Sequence, residues 1–286
     1  MTAALLPLSK QRQHALEWAA ILSALVYALL HVRFQWGGAA SYLLALLPTA
    51  LVWMVTRTWL AVAFTFLLPM YFVIGHATAG GVHHQPFIAL DYLMPLSPRW
   101  MLVYGSLYMC GFLLPLVVVR GNELFRRSMQ AYLFVMLVSY AGFLLYPTVA
   151  PHQPLTIDGF ASWSLQLFYD IDQPYGCFPS LHVAYSFVGA TACYRMHRGV
   201  GKAAMVWASL IAVSTVYTKQ HFVVDAIAGA IVGLAGYGLF LRGRPRVPIA
   251  GADLELAPRR ALYVVIAYAV VVGGFWGAYL LGLGGA

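Results

Sequence analysis

Nine apolar stretches, each close to the length that crosses a lipid bilayer, dominate this sequence of 286 residues. A transmembrane helix needs roughly 20 apolar residues, and about 17 to 25 are tolerated. Counts of eight or ten remain open, because Arg57 is the only charge between the second and third stretches and the 217–222 connection is short. The stretches predict an all-α polytopic membrane protein with about nine transmembrane helices. They run approximately over 16–34, 40–56, 58–76, 100–119, 129–147, 180–197, 202–217, 222–241 and 261–282.

The composition excludes other classes of protein. Hydrophobic residues make up 62% of the chain and charged residues only 9%, whereas a soluble domain has about 25% charged residues. A soluble fold and a disordered chain are therefore excluded. The three cysteines, Cys110, Cys177 and Cys193, predict no disulfide framework and are interpreted as small packed thiols.

The net charge of +8 is explained by membrane topology. Lys and Arg accumulate in cytoplasmic loops, and nine spans with a cytoplasmic N-terminus leave only Arg33, Arg99 and Lys219 of the seventeen basic residues outside. The basic balance therefore does not indicate nucleic acid as a partner. The small loops suggest a prokaryotic inner membrane protein with its site on the periplasmic face. The fourteen inner residues are Lys10, Arg12, Arg57, Arg120, Arg126, Arg127, Arg195, Arg198, Lys202, Arg242, Arg244, Arg246, Arg259 and Arg260.

Two polar groups lie at the outer ends of neighbouring predicted spans. His221 and Asp225 are four residues apart, so both lie on one helical face. An Asp that accepts a hydrogen bond from one ring nitrogen raises the basicity of the other. Such a pair is either an oriented nucleophile or base, or a polar pair that holds helices together. Ser180 and His182 lie at the start of the sixth predicted span, 180–197. A helix N-terminus can bind an anion, but Ser180 could equally serve only as the helix cap.

Together these segments resemble the type 2 phosphatidic acid phosphatase superfamily. Pro179-Ser180-Leu181-His182 is similar to that superfamily's second signature, and 214–225 is similar to its third, with Ser214 seven residues before His221 and Asp225 four after it. The segments 91–98 with Tyr104, 146–154 and 176–182 resemble the branch of inositol phosphorylceramide synthases. The likeness spans about 58–241, so we expect three parts: added helices over 1–57, a six-helix core over 58–241, and a linker with a last helix over 242–286.

The resemblance implies a phosphohistidine mechanism without a metal or other cofactor. His221 would attack phosphorus, Asp225 would orient it, His182 would protonate the departing oxygen, and Ser180 would hold phosphoryl oxygens. Ser214 and Asp91 are further candidates for substrate binding. The substrate would be a membrane lipid phosphoester, with inositol or a sphingolipid as possible alcohol acceptors; the oligomeric state is left open.

The chain departs from the family pattern at the phosphate clamp. Thr215 stands in place of the expected Arg, Leu181 in place of Gly, and His152 in place of another Arg. Arg is the side chain best suited to bidentate phosphate recognition. Another group must balance the phosphate charge, and the outer-side candidates are Lys219, Arg99 and His152.

Three alternatives stay open at this point. The phosphohistidine could be released to water, as in a lipid phosphate phosphatase, or to an alcohol, as in a transferase. The same His/Asp groups could form the proton relay of a transporter or flippase. A metal site built from His76, His83, His84 and His152 is also conceivable, although no zinc-ligand spacing is present.

Overall fold

A computed structural model of the chain describes residues 59–68, 70–243 and 251–283. Every regular element within these ranges is helical, which confirms the predicted all-α class. The predicted spans 16–34 and 40–56 lie outside the described residues. The chain divides into two compact units between Val73 and Ile74, and all the side chains discussed below belong to the second unit.

Ten helices are described, and five of them are long and apolar enough to cross a membrane: α4, α5, α8, α9 and α10. α4 combines 3₁₀, α and π turns, and α9 ends in a π turn over Tyr237–Leu241. In chain order the helices are α1 Trp59–Leu67, α2 Met70–Thr78, α3 Ala89–Tyr92, α4 Pro98–Val118, α5 Asn122–Leu145, α6 Phe160–Ile171, α7 Leu181–Met196, α8 Arg198–Tyr217, α9 Val223–Leu241 and α10 Gly251–Leu280.

The predicted span 58–76 differs from the structure, which has the two nine-residue helices α1 and α2 there. The sequence has Pro69 between them, and a proline both lacks an N–H and disfavours helical backbone at the residue before it. The short helix expected within 148–178 is present as α6.

The central element of the second unit is α7. Thirteen of its sixteen residues are buried, and it packs against α4, α5, α8 and α9. In α10, by contrast, the buried residues are Ala257 and Val264, as expected of a helix whose other sides face lipid. The helix capped by Ser180 is therefore largely buried among the other helices of this unit.

Small residues let α9 approach α7 closely. A Cβ added at Gly229 would lie 2.3 Å from the Ser180 carbonyl oxygen, and one added at Gly233 would lie 2.8 Å from the Ala184 carbonyl oxygen. The GxxxG pattern over 229–233 is typical of tight helix contacts in membranes. Its role here is to place the first turn of α9 beside the first turn of α7.

Candidate active site

The start of α7 is fixed by its cap and by α9. The Ser180 side chain is fully buried, and its Oγ accepts a hydrogen bond from the Val183 N–H at 3.4 Å. The backbone N–H of Ser180 donates to the Asp225 carbonyl oxygen at 3.0 Å. The Ser180 position is thus tied to the first turn of the helix that carries Asp225.

The start of α9 is held by two carboxylates. Asp225 Oδ2 accepts the Phe222 N–H at 2.9 Å, and Asp91 Oδ1 accepts the Val223 N–H at 2.9 Å. Asp91 Oδ2 accepts a third N–H, that of Ile88, at 2.9 Å. Both oxygens of the buried Asp91 accept backbone N–H groups, so the contacts of Asp91 in this structure orient α9. Binding of substrate by Asp91 stays a prediction.

Three side chains form a row at the meeting point of α7 and α9. Nε2 of His221 lies 3.4 Å from Nδ1 of His182, and Nδ1 of His221 lies 3.6 Å from Oδ2 of Asp225. The second distance suits an ion pair and is longer than a hydrogen bond. His221 is 6% exposed and Asp225 is fully buried. The structure therefore brings together the three residues for which catalytic roles are expected.

This row is suited to nucleophilic chemistry. A carboxylate beside Nδ1 favours a proton on that nitrogen and a free lone pair on Nε2. Nε2 then faces a second imidazole, which can hold or release a proton.

Aromatic side chains border the histidine pair. The Tyr104 hydroxyl lies 3.5 Å from Nδ1 of His182, and the Tyr104 ring packs edge-on against His182 and Phe168. Tyr104 is 1% exposed. The sequence pattern gave Tyr104 no role, and the structure places its hydroxyl next to the expected acid.

Lys219, Arg99 and Ser214 are the remaining candidates for contact with phosphate. Lys219 adopts a left-handed backbone with φ of 56°, and its Nζ donates to the Met94 carbonyl oxygen. Arg99 is exposed in the 3₁₀ turn that begins α4. Ser214 is buried, and its Oγ donates to the Ile211 carbonyl oxygen within α8. Their proposed contacts with phosphate stay predictions.

His152 lies in the connection between α5 and α6. Its ring stacks on Tyr169 with a centroid separation of 4.0 Å, and the Tyr169 hydroxyl donates to the Thr218 carbonyl oxygen at 2.7 Å. Burial lowers the pKa of His152, and the nearby carboxylates of Asp172 and Asp170 offset this only in part. A neutral His152 can donate a hydrogen bond to a phosphate but does not supply the positive charge of the missing Arg.

Cys177 belongs to the site although the sequence gave it no functional role. The Thr148 hydroxyl accepts the N–H groups of Cys177 and Phe178, each at 2.9 Å. This turn brings Cys177, His221 and Asp225 so close that their ligand atoms lie within 4.8 Å of one another. In the described ranges no other group of three or more His, Cys, Asp or Glu residues has metal-compatible spacing, so His83, His84 and His152 form no such cluster there. The side chain of His76, the fourth member of that hypothesis, lies outside the described residues.

A family model of the PAP2 superfamily matches residues 71–239. This range is more than half of the 286 residues, and it contains α7, α8 and the whole histidine pair. The chain belongs to the PAP2 superfamily. Membership of the PAP2 superfamily, together with the long apolar helices, supports an integral membrane protein with a phosphoesterase or phosphotransferase type of activity. No curated protein and no solved structure matches the chain.

Proposed function

We propose that this PAP2 protein is a lipid phosphoester phosphotransferase that works through a phosphohistidine at His221. The observation that carries the proposal is the row of Asp225, His221 and His182. Asp225 Oδ2 lies 3.6 Å from Nδ1 of His221, and Nε2 of His221 lies 3.4 Å from Nδ1 of His182. The row gives His221 an orienting carboxylate on one side and a proton carrier on the other.

In the first step, Nε2 of His221 attacks the phosphorus atom and the bond between phosphorus and the lipid oxygen breaks. His182 transfers its proton to the departing oxygen, so the lipid leaves as a neutral alcohol. The backbone N–H groups at the start of α7, next to Ser180, can hold phosphoryl oxygens. The phosphoryl group must enter between the two rings, so we expect their 3.4 Å separation to increase on binding.

In the second step, an acceptor hydroxyl attacks the phosphohistidine while His182 removes its proton, which regenerates His221. We propose an alcohol acceptor, such as inositol or the hydroxyl of a sphingolipid, because 91–98 and 176–182 resemble the inositol phosphorylceramide synthase branch. Low exposure of His221 and Asp225 supports transfer over hydrolysis, since a site with little water favours a bound acceptor.

Phosphoryl transfer requires charge stabilisation, and the expected Arg is replaced by Thr215. Lys219 is the basic residue nearest in sequence to His221. We propose that on substrate binding its Nζ exchanges the Met94 carbonyl oxygen for a phosphoryl oxygen. No cofactor takes part in either step of this proposal.

The test compares wild type, His221→Gln, His182→Gln and the control His84→Gln, whose ring stacks on Tyr146 away from the row. Each purified protein is incubated with short-chain lipid phosphates, with and without inositol or other alcohols, and both phosphorus-containing products are identified. We expect no phosphohistidine or turnover in His221→Gln, a loss of about 100- to 10,000-fold in His182→Gln, and wild-type turnover in His84→Gln.

Wild-type turnover in His221→Gln would refute the mechanism. Free phosphate as the sole product would assign the alternative, a lipid phosphate phosphatase, and lipid flux in proteoliposomes without phosphorus transfer would assign the transporter.

A further inference from the structure

The thiol of Cys177 lies close to His221 and Asp225, and the phosphohistidine mechanism gives this thiol no role. The sulfur of Cys177, a ring nitrogen of His221 and a carboxylate oxygen of Asp225 all lie within 4.8 Å of one another. Ligands of one tetrahedral zinc ion, at about 2.0 to 2.3 Å from the metal, lie about 3.3 to 3.8 Å from one another. A small side-chain adjustment would bring all three into one coordination sphere.

Oδ1 of Asp225 is buried without a hydrogen bond to the described residues, and Nδ1 of His221 has no hydrogen bond there beyond its 3.6 Å contact with Asp225 Oδ2. Buried polar atoms usually have a partner, and an orphaned one calls for an explanation such as an ion. Cys177 is 3% exposed and its sulfur contacts the Pro174 carbonyl oxygen at 3.3 Å. The three ligand types, thiolate, imidazole and carboxylate, are those that zinc binds.

We infer that Cys177, His221 and Asp225 form an inhibitory binding site for a thiophilic divalent cation of the zinc class. Its regulatory role rests on the proposed function of His221, whereas the binding site does not. Three protein ligands leave a fourth position for water, which is the coordination of an open zinc site.

The inhibition follows from the chemistry of the imidazole ring. A metal bound through Nδ1 displaces the proton from that nitrogen, and the neutral ring then carries its proton on Nε2. Nε2 no longer has a free lone pair, so it cannot attack phosphorus. The ion also takes the Asp225 carboxylate, which otherwise favours the reactive tautomer.

The experiment uses the full-length protein in detergent after chelation and dialysis, with zinc chloride as the probe. Bound zinc is measured by equilibrium dialysis with metal analysis, and turnover of a short-chain lipid phosphate is measured at the same zinc concentrations. We expect one zinc per chain in wild type and in the control Cys193→Ser, which removes a buried thiol on α7. Loss of a residue that only supports a metal ligand lowers metal affinity by about 10- to 100-fold. Because Cys177 is proposed as a direct ligand, Cys177→Ser should lower the affinity for zinc by more than that.

A second measurement needs no variant. Cobalt bound to the wild-type protein should give the near-ultraviolet charge-transfer band of a thiolate ligand. The inference is wrong if wild type binds no zinc, if Cys177→Ser binds it as tightly as wild type, if the cobalt complex lacks the thiolate band, or if bound zinc raises turnover or leaves it unchanged. Zinc binding in a protein that turns over no lipid phosphate would refute the proposed function and leave the metal site in place.

Discussion

The Asp225 carboxylate is fully buried, and only one of its oxygens accepts a hydrogen bond from the described residues. Oδ2 accepts the Phe222 N–H and lies 3.6 Å from His221, whereas Oδ1 has no partner there. A buried carboxylate is unfavourable unless it is hydrogen-bonded or paired with positive charge. Asp225 therefore favours a proton on Nδ1 of His221. In the proposed attack His221 gains positive charge, and that charge would offset the cost of burying the Asp225 carboxylate.

Sequence spacing predicted part of this residue-level arrangement. The separation of four residues placed His221 and Asp225 on one face, and the structure brings them together. It could not reveal Cys177, because the approach of that residue depends on the turn formed by the Thr148 hydroxyl and two N–H groups. It also could not orient Lys219, whose left-handed backbone accompanies a contact with Met94.

The lowered pKa of His152 predicts a pH dependence of stability. Burial lowers this pKa from its ordinary value of 6.5 in the folded chain, so below that pH the unfolded chain binds more protons than the folded one. Stability should then fall as the pH decreases from 6.5 through the lower folded pKa. We expect the midpoint of thermal unfolding to fall less steeply below pH 6.5 in His152→Gln than in wild type.

The comparison of slopes, and not of absolute midpoints, decides this prediction, because loss of the ring stacked on Tyr169 also changes stability at every pH. Differences between the two proteins should be constant above pH 7. Parallel curves below pH 6.5 would contradict the lowered pKa.

At the scale of elements, the α7 and α9 contact assembles the site. Ser180 and His182 begin α7, Asp225 lies in the first turn of α9, and Gly229 one turn further lets the two helices touch. Apolar length was enough to predict most helices, since it reports the energetic cost of exposing polar backbone to lipid. Apolar length could not predict the break between α1 and α2. It also could not predict how closely α7 approaches α9, because that approach depends on the missing side chains of Gly229 and Gly233.

Gly229→Ala should damage the site without touching a polar group. The new Cβ would lie 2.3 Å from the Ser180 carbonyl oxygen and 3.1 Å from the Ser180 Cβ, so the helices must separate. Overpacking of this kind costs about 1 to 3 kcal/mol. We expect a lower unfolding midpoint, and a turnover at least about tenfold lower, because a shift of about 1 Å in a reacting group has effects of that size or more.

The matched control is Gly238→Ala, at the other end of α9, where an added Cβ meets no atom within 4 Å. It should retain wild-type midpoint and turnover. Equal behaviour of the two variants would show that the contact at Gly229 does not position Ser180.

At the scale of the whole molecule, the distribution of basic residues predicts the orientation in the membrane. Fourteen of the seventeen Lys and Arg residues fall on one side when nine spans are counted. We propose that this side is cytoplasmic and that the histidine pair opens toward the opposite, periplasmic face.

Single cysteines test this orientation in intact cells. Gly80 and Gly251 are both exposed, with no atom within 4 Å of an added Cβ, and the topology places them on opposite sides. A membrane-impermeant maleimide should label Gly80→Cys and spare Gly251→Cys until the cells are opened. The three native cysteines are buried and should give little background. Labelling of Gly251→Cys in intact cells would refute the orientation.

The hydrogen bond from Ser180 to the Asp225 carbonyl oxygen has a mechanical consequence. With the glycine contact below it, this bond makes the first turns of α7 and α9 a single block. Membranes of different thickness change the tilt of transmembrane helices, and such tilting would carry both histidines together without altering the gap between them. For the proposed phosphoryl transfer, we therefore expect the relative position of the two helix starts to change little with the thickness of the bilayer.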